Sequence, residues 1–249
     1  MAYYFASDMH LGLRYQDADP LQREKLVVQW LSEIEKDCER LFLVGDVFDF
    51  WHEWKRVVPR GFVRILGKLA QMCDSGIQVD FFTGNHDMWI TDYLSGEIGM
   101  TVHNHGNIFT LQEKQVFIDH GDTLGKHDWQ GRTMIKGFRS PKLRWLFSHV
   151  FHPDAAMRMG HAWSTSNRHA RSGVSHEFRY EEEPVVKFAR EYTAAHQVDY
   201  FVFGHLHTPI IYQLDEKSQL IVLGEWIENP TYARMQDGII TLHKKPALI

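Results

Sequence analysis

Five short apolar runs along the chain each break off into a small polar group. Tyr3–Ser7 leads into Asp8-Met9-His10, Leu41–Val44 into Gly45-Asp46, and Val79–Thr83 into Gly84-Asn85-His86-Asp87. Gln115–Asp119 leads into His120-Gly121-Asp122, and Tyr200–Phe203 into Gly204-His205-Leu206-His207. Runs this short, rich in aromatic and β-branched residues and closed by Gly or Asp, predict buried strands ending in tight turns. Between the first three runs the apolar period changes to that of a helix. Asp19-Pro20 has the form of an N-cap followed by proline in the first turn. Val27, Trp30, Leu31 and Ile34 then form a stripe, and Phe62, Ile65, Leu66 and Leu69 repeat it before Ser75-Gly76. Strand–helix–strand alternation predicts a layered α/β fold with parallel strands. Phe109–Leu111, Ile210–Leu214, Leu220–Leu223 and Ile239–His243 are spaced like hairpins, so the sheets are expected to be mixed.

Composition narrows the class. The 249 residues are 44% hydrophobic, 24% charged and 13% aromatic, which excludes a disordered, collagenous or coiled-coil chain. Cys38 and Cys73 are too few for a disulfide framework and fit a reducing compartment. The first residues carry Asp8 and no basic residue before Arg14, unlike a secretory signal. No apolar run approaches about 18 residues. A cytoplasmic globular protein is expected. Residues 126–180 differ in charge, with ten Lys and Arg against Asp128, Asp154 and Glu177, a net +7 in a chain of formal charge −5. That stretch also holds Trp129, Trp145 and Trp163 and interrupts the strand series. It predicts an inserted helical cap at 126–180, with the core formed by 1–125 and 181–249.

Histidine is over-represented: sixteen against 27 Lys and Arg. Histidine is the commonest metal ligand among side chains and titrates near neutral pH. Taken together, the strand-end groups offer Asp8, His10, Asp46, Asn85, His120, His205 and His207. The carboxyl ends of neighbouring strands in an open α/β sheet face one crevice, which predicts that these residues converge. Asp8/His10 and His205/His207 are two apart, so both members of a pair project the same way if the chain stays extended. Imidazole, carboxylate and amide without thiolate suit Mn²⁺, Fe or Zn²⁺ at five or six ligands. Asp46 is the candidate for a carboxylate shared between two ions; alternatively it merely caps the next helix.

The ordered set D-x-H, G-D-x-x-D, G-N-H-D, H-G-D and G-H-x-H, from Asp8 to His207, resembles the calcineurin-like metallophosphoesterases. The resemblance implies a four-layer αββα sandwich and a centre of two divalent metal ions, with Mn²⁺ first and Zn²⁺ or Fe as alternatives. It implies one site of Asp8, His10, Asp46 and His207 and a second of Asp46, Asn85, His120 and His205. His86 would then protonate the leaving oxygen or hold a phosphate oxygen, with Asp87 orienting its ring.

Ser7–Gly12, Gly45–Trp51 and His120–Leu124 resemble the branch of that family serving lipid A biosynthesis. This implies attack at the α-phosphorus of a UDP-linked diacylglucosamine, giving UMP and the lipid 1-phosphate. A basic, aromatic cap suits a diphosphate and two acyl chains. By position, Asn85, His86, Asp128, Ser164, Arg168 and Arg171 are the expected substrate contacts. Basic cap residues could also rest on the anionic leaflet of the inner membrane, at about 1 kcal/mol each. One departure bears on substrate: members of the branch carry Arg where this chain has His86, and Arg grips phosphate bidentately where His does not. A phosphodiesterase or phosphatase for soluble nucleotides or phosphoproteins is the alternative. No nucleic-acid partner is expected, because a net basic surface would be confined to one segment of an acidic chain.

Overall fold

The computed structural model describes residues 1–15, 19–124, 137, 140–171 and 177–246. Two sheets carry the molecule. The first has the order β11-β10-β1-β2-β3-β4, from β1 (Ala2–Ala6), β2 (Cys38–Val44), β3 (Gln78–Phe82), β4 (Thr101–His103), β10 (Thr231–Gln236) and β11 (Ile239–Lys244). The second has the order β5-β6-β7-β9-β8, from β5 (Asn107–Leu111), β6 (Lys114–Asp119), β7 (Tyr200–Phe203), β8 (Ile210–Gln213) and β9 (Gln219–Val222). β1 to β4 run parallel, as do β6, β7 and β9, and the remaining pairings are antiparallel. The sheets are mixed, as the spacing of the later runs predicts.

Three apolar clusters separate four layers. Helices α1 (Pro20–Ile34) and α2 (Val63–Asp74) bury Val27, Trp30, Leu31, Ile65 and Leu69 against Tyr4, Leu41, Leu43 and Phe81 of the first sheet. The next residues along those strands, Phe5, Phe42, Val44 and Phe82, face the other way, onto Val116, Ile118, Val202 and Ile221 of the second sheet. Helix α5 (Pro184–Thr193) closes the far side with Val185, Val186 and Ala189 on Phe117, Phe201 and Phe203. Strands covered on both faces read as continuous apolar runs, which is why they stand out in the sequence. The arrangement is the αββα sandwich. Asp19 caps α1 as predicted, accepting a hydrogen bond from the Leu21 amide at 3.0 Å.

β4 and β10 are absent from the periodicity reading. β4 is three residues long. β10 alternates buried Thr231, Ala233 and Met235 with polar or aromatic neighbours, and Thr231 and Ala233 add little to the hydrophobic signal. Between β6 and β7 lie α3 (Pro141–Val150) and α4 (Pro153–Arg171). They rest on the segments after β2 and β3: His52 Nε2 is 2.9 Å from Ser148 Oγ, and Phe147 packs on Trp89. Phe178, beyond α4, is buried with the α5 cluster rather than with these helices. Among the described residues no helix is long and apolar enough to cross a membrane.

Candidate metal centre

The ligand-type residues follow strands of both sheets: Asp8, Asp46 and Asn85 follow β1, β2 and β3, while His120 and His205 follow β6 and β7. A single-sheet crevice therefore describes them incompletely; they gather at one end of the sandwich, where two sheets stop together. The extended backbone expected for the two pairs is also corrected. Asp8, His10, His205 and His207 all have positive φ, as does Asp46. Each side chain is turned inward by a left-handed residue, a conformation that costs an L residue free energy and is found where the surroundings hold it in place. Asp8 and His10 stay together, whereas His205 and His207 diverge. His207 joins Asp8 and His10, while His205 joins Asp46 and His120.

In the first group, His207 Nε2 lies 3.0 Å from Asp8 Oδ1 and His10 Nε2 lies 3.8 Å from it. The two imidazole nitrogens stand 3.4 Å from each other. In the second, His120 Nε2 lies 3.4 Å from Asp46 Oδ2, and the His205 ring is 5.3 Å from that of His120. Asp46 Oδ2 is also 4.0 Å from His10 Nε2, so this one carboxylate stands between the groups. Residues after Asp46 form no helix before Val63, and its Oδ1 accepts from the His86 amide at 2.9 Å. The helix-cap alternative is thereby excluded. Asn85 Oδ1 and His120 Nε2 are buried and make no hydrogen bond. His120 Nδ1 donates to the Val44 carbonyl at 2.8 Å, which leaves the lone pair on Nε2 facing the site. Buried oxygen and nitrogen atoms aimed at common points fit divalent cations.

The backbone makes this approach feasible. Gly45 has φ +80°, and a Cβ there would collide with the His120 ring; a Cβ on Gly84 would strike the Asp46 carboxylate. Burial alone would raise the Asp46 carboxyl, but the facing His120 and then His86 hold it well below the usual carboxylate range. Burial, reinforced by His120, pushes His205 down to about 4, so it is neutral and able to coordinate at pH 7.

Asp87 does something other than expected. It accepts hydrogen bonds from the amides of Gly84 at 2.7 Å and Val47 at 2.8 Å, tying together the turns that carry Asn85 and Asp46. The His86 ring is instead set by its Nδ1 donating to the Asp49 carbonyl oxygen at 2.8 Å, which turns Nε2 inward to 4.0 Å from Asp46 Oδ2. Trp163 of α4 covers that ring at 5.3 Å. Ser164 is fully buried and donates to Asp49 Oδ1 at 2.5 Å. Asp128 lies outside the described residues, as do the side chains of Arg168 and Arg171. Trp51 packs in the core. The sequence reading gave no role to Asp49, His161 or Arg23. His161 lies one turn before Ser164 on α4, a spacing that places it beside a residue already singled out; Asp49, in the non-helical segment after Asp46, has no such signal. Arg23, on α1, donates to the His10 carbonyl at 2.8 Å and has no local signal.

Comparison with known proteins agrees with the geometry. The calcineurin-like phosphoesterase family matches residues 1–209. A UDP-2,3-diacylglucosamine hydrolase of Porphyromonas gingivalis is 38% identical over 92% of each chain. One from Haemophilus influenzae is 29% identical over 91% of each, and one from Histophilus somni 27% over 90% of this chain and 91% of its own. With the fold, the paired ligand groups and this similarity in hand, the chain belongs to the calcineurin-like phosphoesterase family, a family of metal-dependent hydrolases.

Proposed function

We propose that this chain is a Mn²⁺-dependent pyrophosphohydrolase that cleaves UDP-2,3-diacylglucosamine to UMP and 2,3-diacylglucosamine 1-phosphate. The observation that carries the substrate is the 38% identity to a hydrolase of that name across 92% of both chains; the ligand groups carry the reaction type. Asp8, His10, Asp46 and His207 would hold one divalent ion and Asp46, Asn85, His120 and His205 a second. Such ions lower the pKa of water toward neutrality and stabilise the charge that builds on phosphoryl oxygens. His86 Nε2 faces the same space and serves the departing oxygen of the lipid 1-phosphate, as proton donor or as a hydrogen-bond donor. Asp87 contributes by holding the two turns rather than by touching the ring.

The cap is read as residues 126–180, inserted between core segments 1–125 and 181–249, with Phe178 anchoring its return to the core. Asn85, His86, Asp128, Ser164, Arg168 and Arg171 remain the proposed substrate contacts. α3 exposes Trp145 (61%) and Val150 (62%), with Leu146 and Phe151 also open to solvent. Apolar surface of this kind beside a basic insert suits acyl chains and peripheral contact with an anionic inner-membrane leaflet from the cytoplasmic side.

The decisive experiment is turnover of detergent-dispersed UDP-2,3-diacylglucosamine with and without Mn²⁺, with products followed by ³¹P NMR and mass spectrometry. Metal-dependent UMP is expected. Hydrolysis of short soluble phosphodiesters with none of the lipid-nucleotide would overturn the assignment.

A further inference from the structure

Asp49 belongs to neither ligand group proposed above, yet it is fully buried at the point where the cap meets the core. Its two oxygens are occupied from the α4 side: Ser164 Oγ donates to Oδ1 at 2.5 Å and His161 Nδ1 to Oδ2 at 3.0 Å. The same Oδ1 lies 3.8 Å from His10 Nδ1, on the side of that ring facing away from Asp8 and His207. The Asp49 amide donates to the Leu11 carbonyl at 3.0 Å, one residue past His10, and its own carbonyl accepts from His86. One residue thus touches the cap, the backbone beside His10 and the ring of His86.

The helix is shaped to reach it. Ala156, Gly160 and Ser164 recur every fourth residue on the buried face of α4. Gly160 lies against the ring of Phe50, the neighbour of Asp49, so closely that any Cβ would collide with ring carbons. The carboxylate contacts and the ring contact together fix both the height and the rotation of the helix over the segment that begins at Asp46.

We propose that Asp49 is a positioning residue through which the seating of the cap sets the geometry of the first metal group. This rests on the metal reading above. A carboxylate hydrogen-bonded behind an imidazole ligand orients the ring and strengthens it as a donor, and loss of such a partner weakens metal binding about 10- to 100-fold; at 3.8 Å Asp49 acts on His10 by charge, short of hydrogen-bond distance. Here the carboxylate is itself held by the cap. A cap shifted off its seat withdraws Ser164 and His161, Asp49 loses its fixed orientation, and His10 loses the group behind it. Of the residues that Asp49's side chain meets here, Ser164, His161 and His10, only His10 is a proposed ligand, so the loss falls on the first group. A substrate that packs on the cap and presses it home would raise affinity for the first ion.

Mn²⁺ and Co²⁺ titrations of the metal-free protein, resolving two binding events by calorimetry and by the Co²⁺ visible spectrum, test this directly. Asp49→Asn, Ser164→Ala, His161→Ala and Gly160→Ala are expected to weaken one event about 10- to 100-fold and leave the other within twofold. Arg158→Ala, on the exposed face of the same helix, is expected to match wild type. His161→Ala keeps the test readable if the packing variants fail to fold, because its side chain is partly exposed. Two unchanged events in the variants, or equal loss of both, would overturn the clasp while leaving the metal reading standing. A wild-type protein that takes up no divalent ion would overturn both.

Discussion

His86 shows how much rests on the orientation of a single ring. Its Nδ1 is committed to the Asp49 carbonyl and its Nε2 is turned into the site. Substitution His86→Ala is expected to lower kcat about 100-fold or more, the usual worth of a positioned proton donor. Metal content, measured per chain by elemental analysis, should be unchanged, because His86 is outside both proposed ligand sets. Gly84→Ala should do the reverse. Its Cβ strikes the Asp46 carboxylate, so bound metal and activity should fall together while the far-ultraviolet circular dichroism stays native. At this scale the residues that gather at the candidate centre were legible in the sequence, because they are ligand types beside strand-ending turns. Asp87 shows the limit. Adjacency suggested a bond to the His86 ring, but a carboxylate buried among free backbone amides is better satisfied by them, and only the fold shows where those amides are.

Helices and strands set the second scale. His52, beneath α3, is fully buried against Trp54, Trp89 and Phe147. Burial, with the nearby Arg144 charge adding, lowers its pKa to about 4, against about 6.5 in an unfolded chain. Between those values the unfolded chain binds the extra proton and the native one does not. Stability is therefore fully present above about pH 6.5 and falls as pH drops toward 4, by at most about 3 kcal/mol. Urea midpoints of wild type and His52→Gln between pH 5 and 7 check this: the slope with pH should be smaller in the variant. A second expectation concerns α3 itself. Trp145→Asp with Val150→Asp should reduce binding to vesicles of anionic lipid without lowering thermal stability, since both side chains are exposed; co-sedimentation measures it. Element type followed closely from periodicity where a face is continuously apolar, as in β2 and α1. It failed for β10, where Thr231 and Ala233 are two of the three inward side chains and the alternating Tyr232, Arg234 and Gln236 break the apolar run.

For the molecule as a whole, the first sheet and its helices make one core centred on Trp30, which packs on Trp226 at 4.9 Å and edge-on against Tyr4. Trp30→Ala should cost about 3–5 kcal/mol, read from denaturant unfolding. The metal end of the sandwich makes a further contribution that depends on conditions. Divalent ion at 100 times its dissociation constant should stabilise the native state by about 2.7 kcal/mol per site, so chelation should lower the Tm and added Mn²⁺ should restore it.

The local code was sufficient for the αββα class, because strands covered on both faces must be apolar throughout and a helix over a sheet must carry a stripe. It was sufficient also for the identities of the residues gathered at the strand ends. It did not determine how those residues divide. Asp8 with His207 and Asp46 with His205 are partnerships between two sheets nearly two hundred residues apart or more than one hundred and fifty, formed by left-handed backbone that the packing of the sandwich sustains. Nor could it show that a carboxylate three residues past Asp46 would be met by helix α4. Sequence fixes which atoms are available; the convergence of two sheets and the packing of α4 on Asp49 determine which of them face one another.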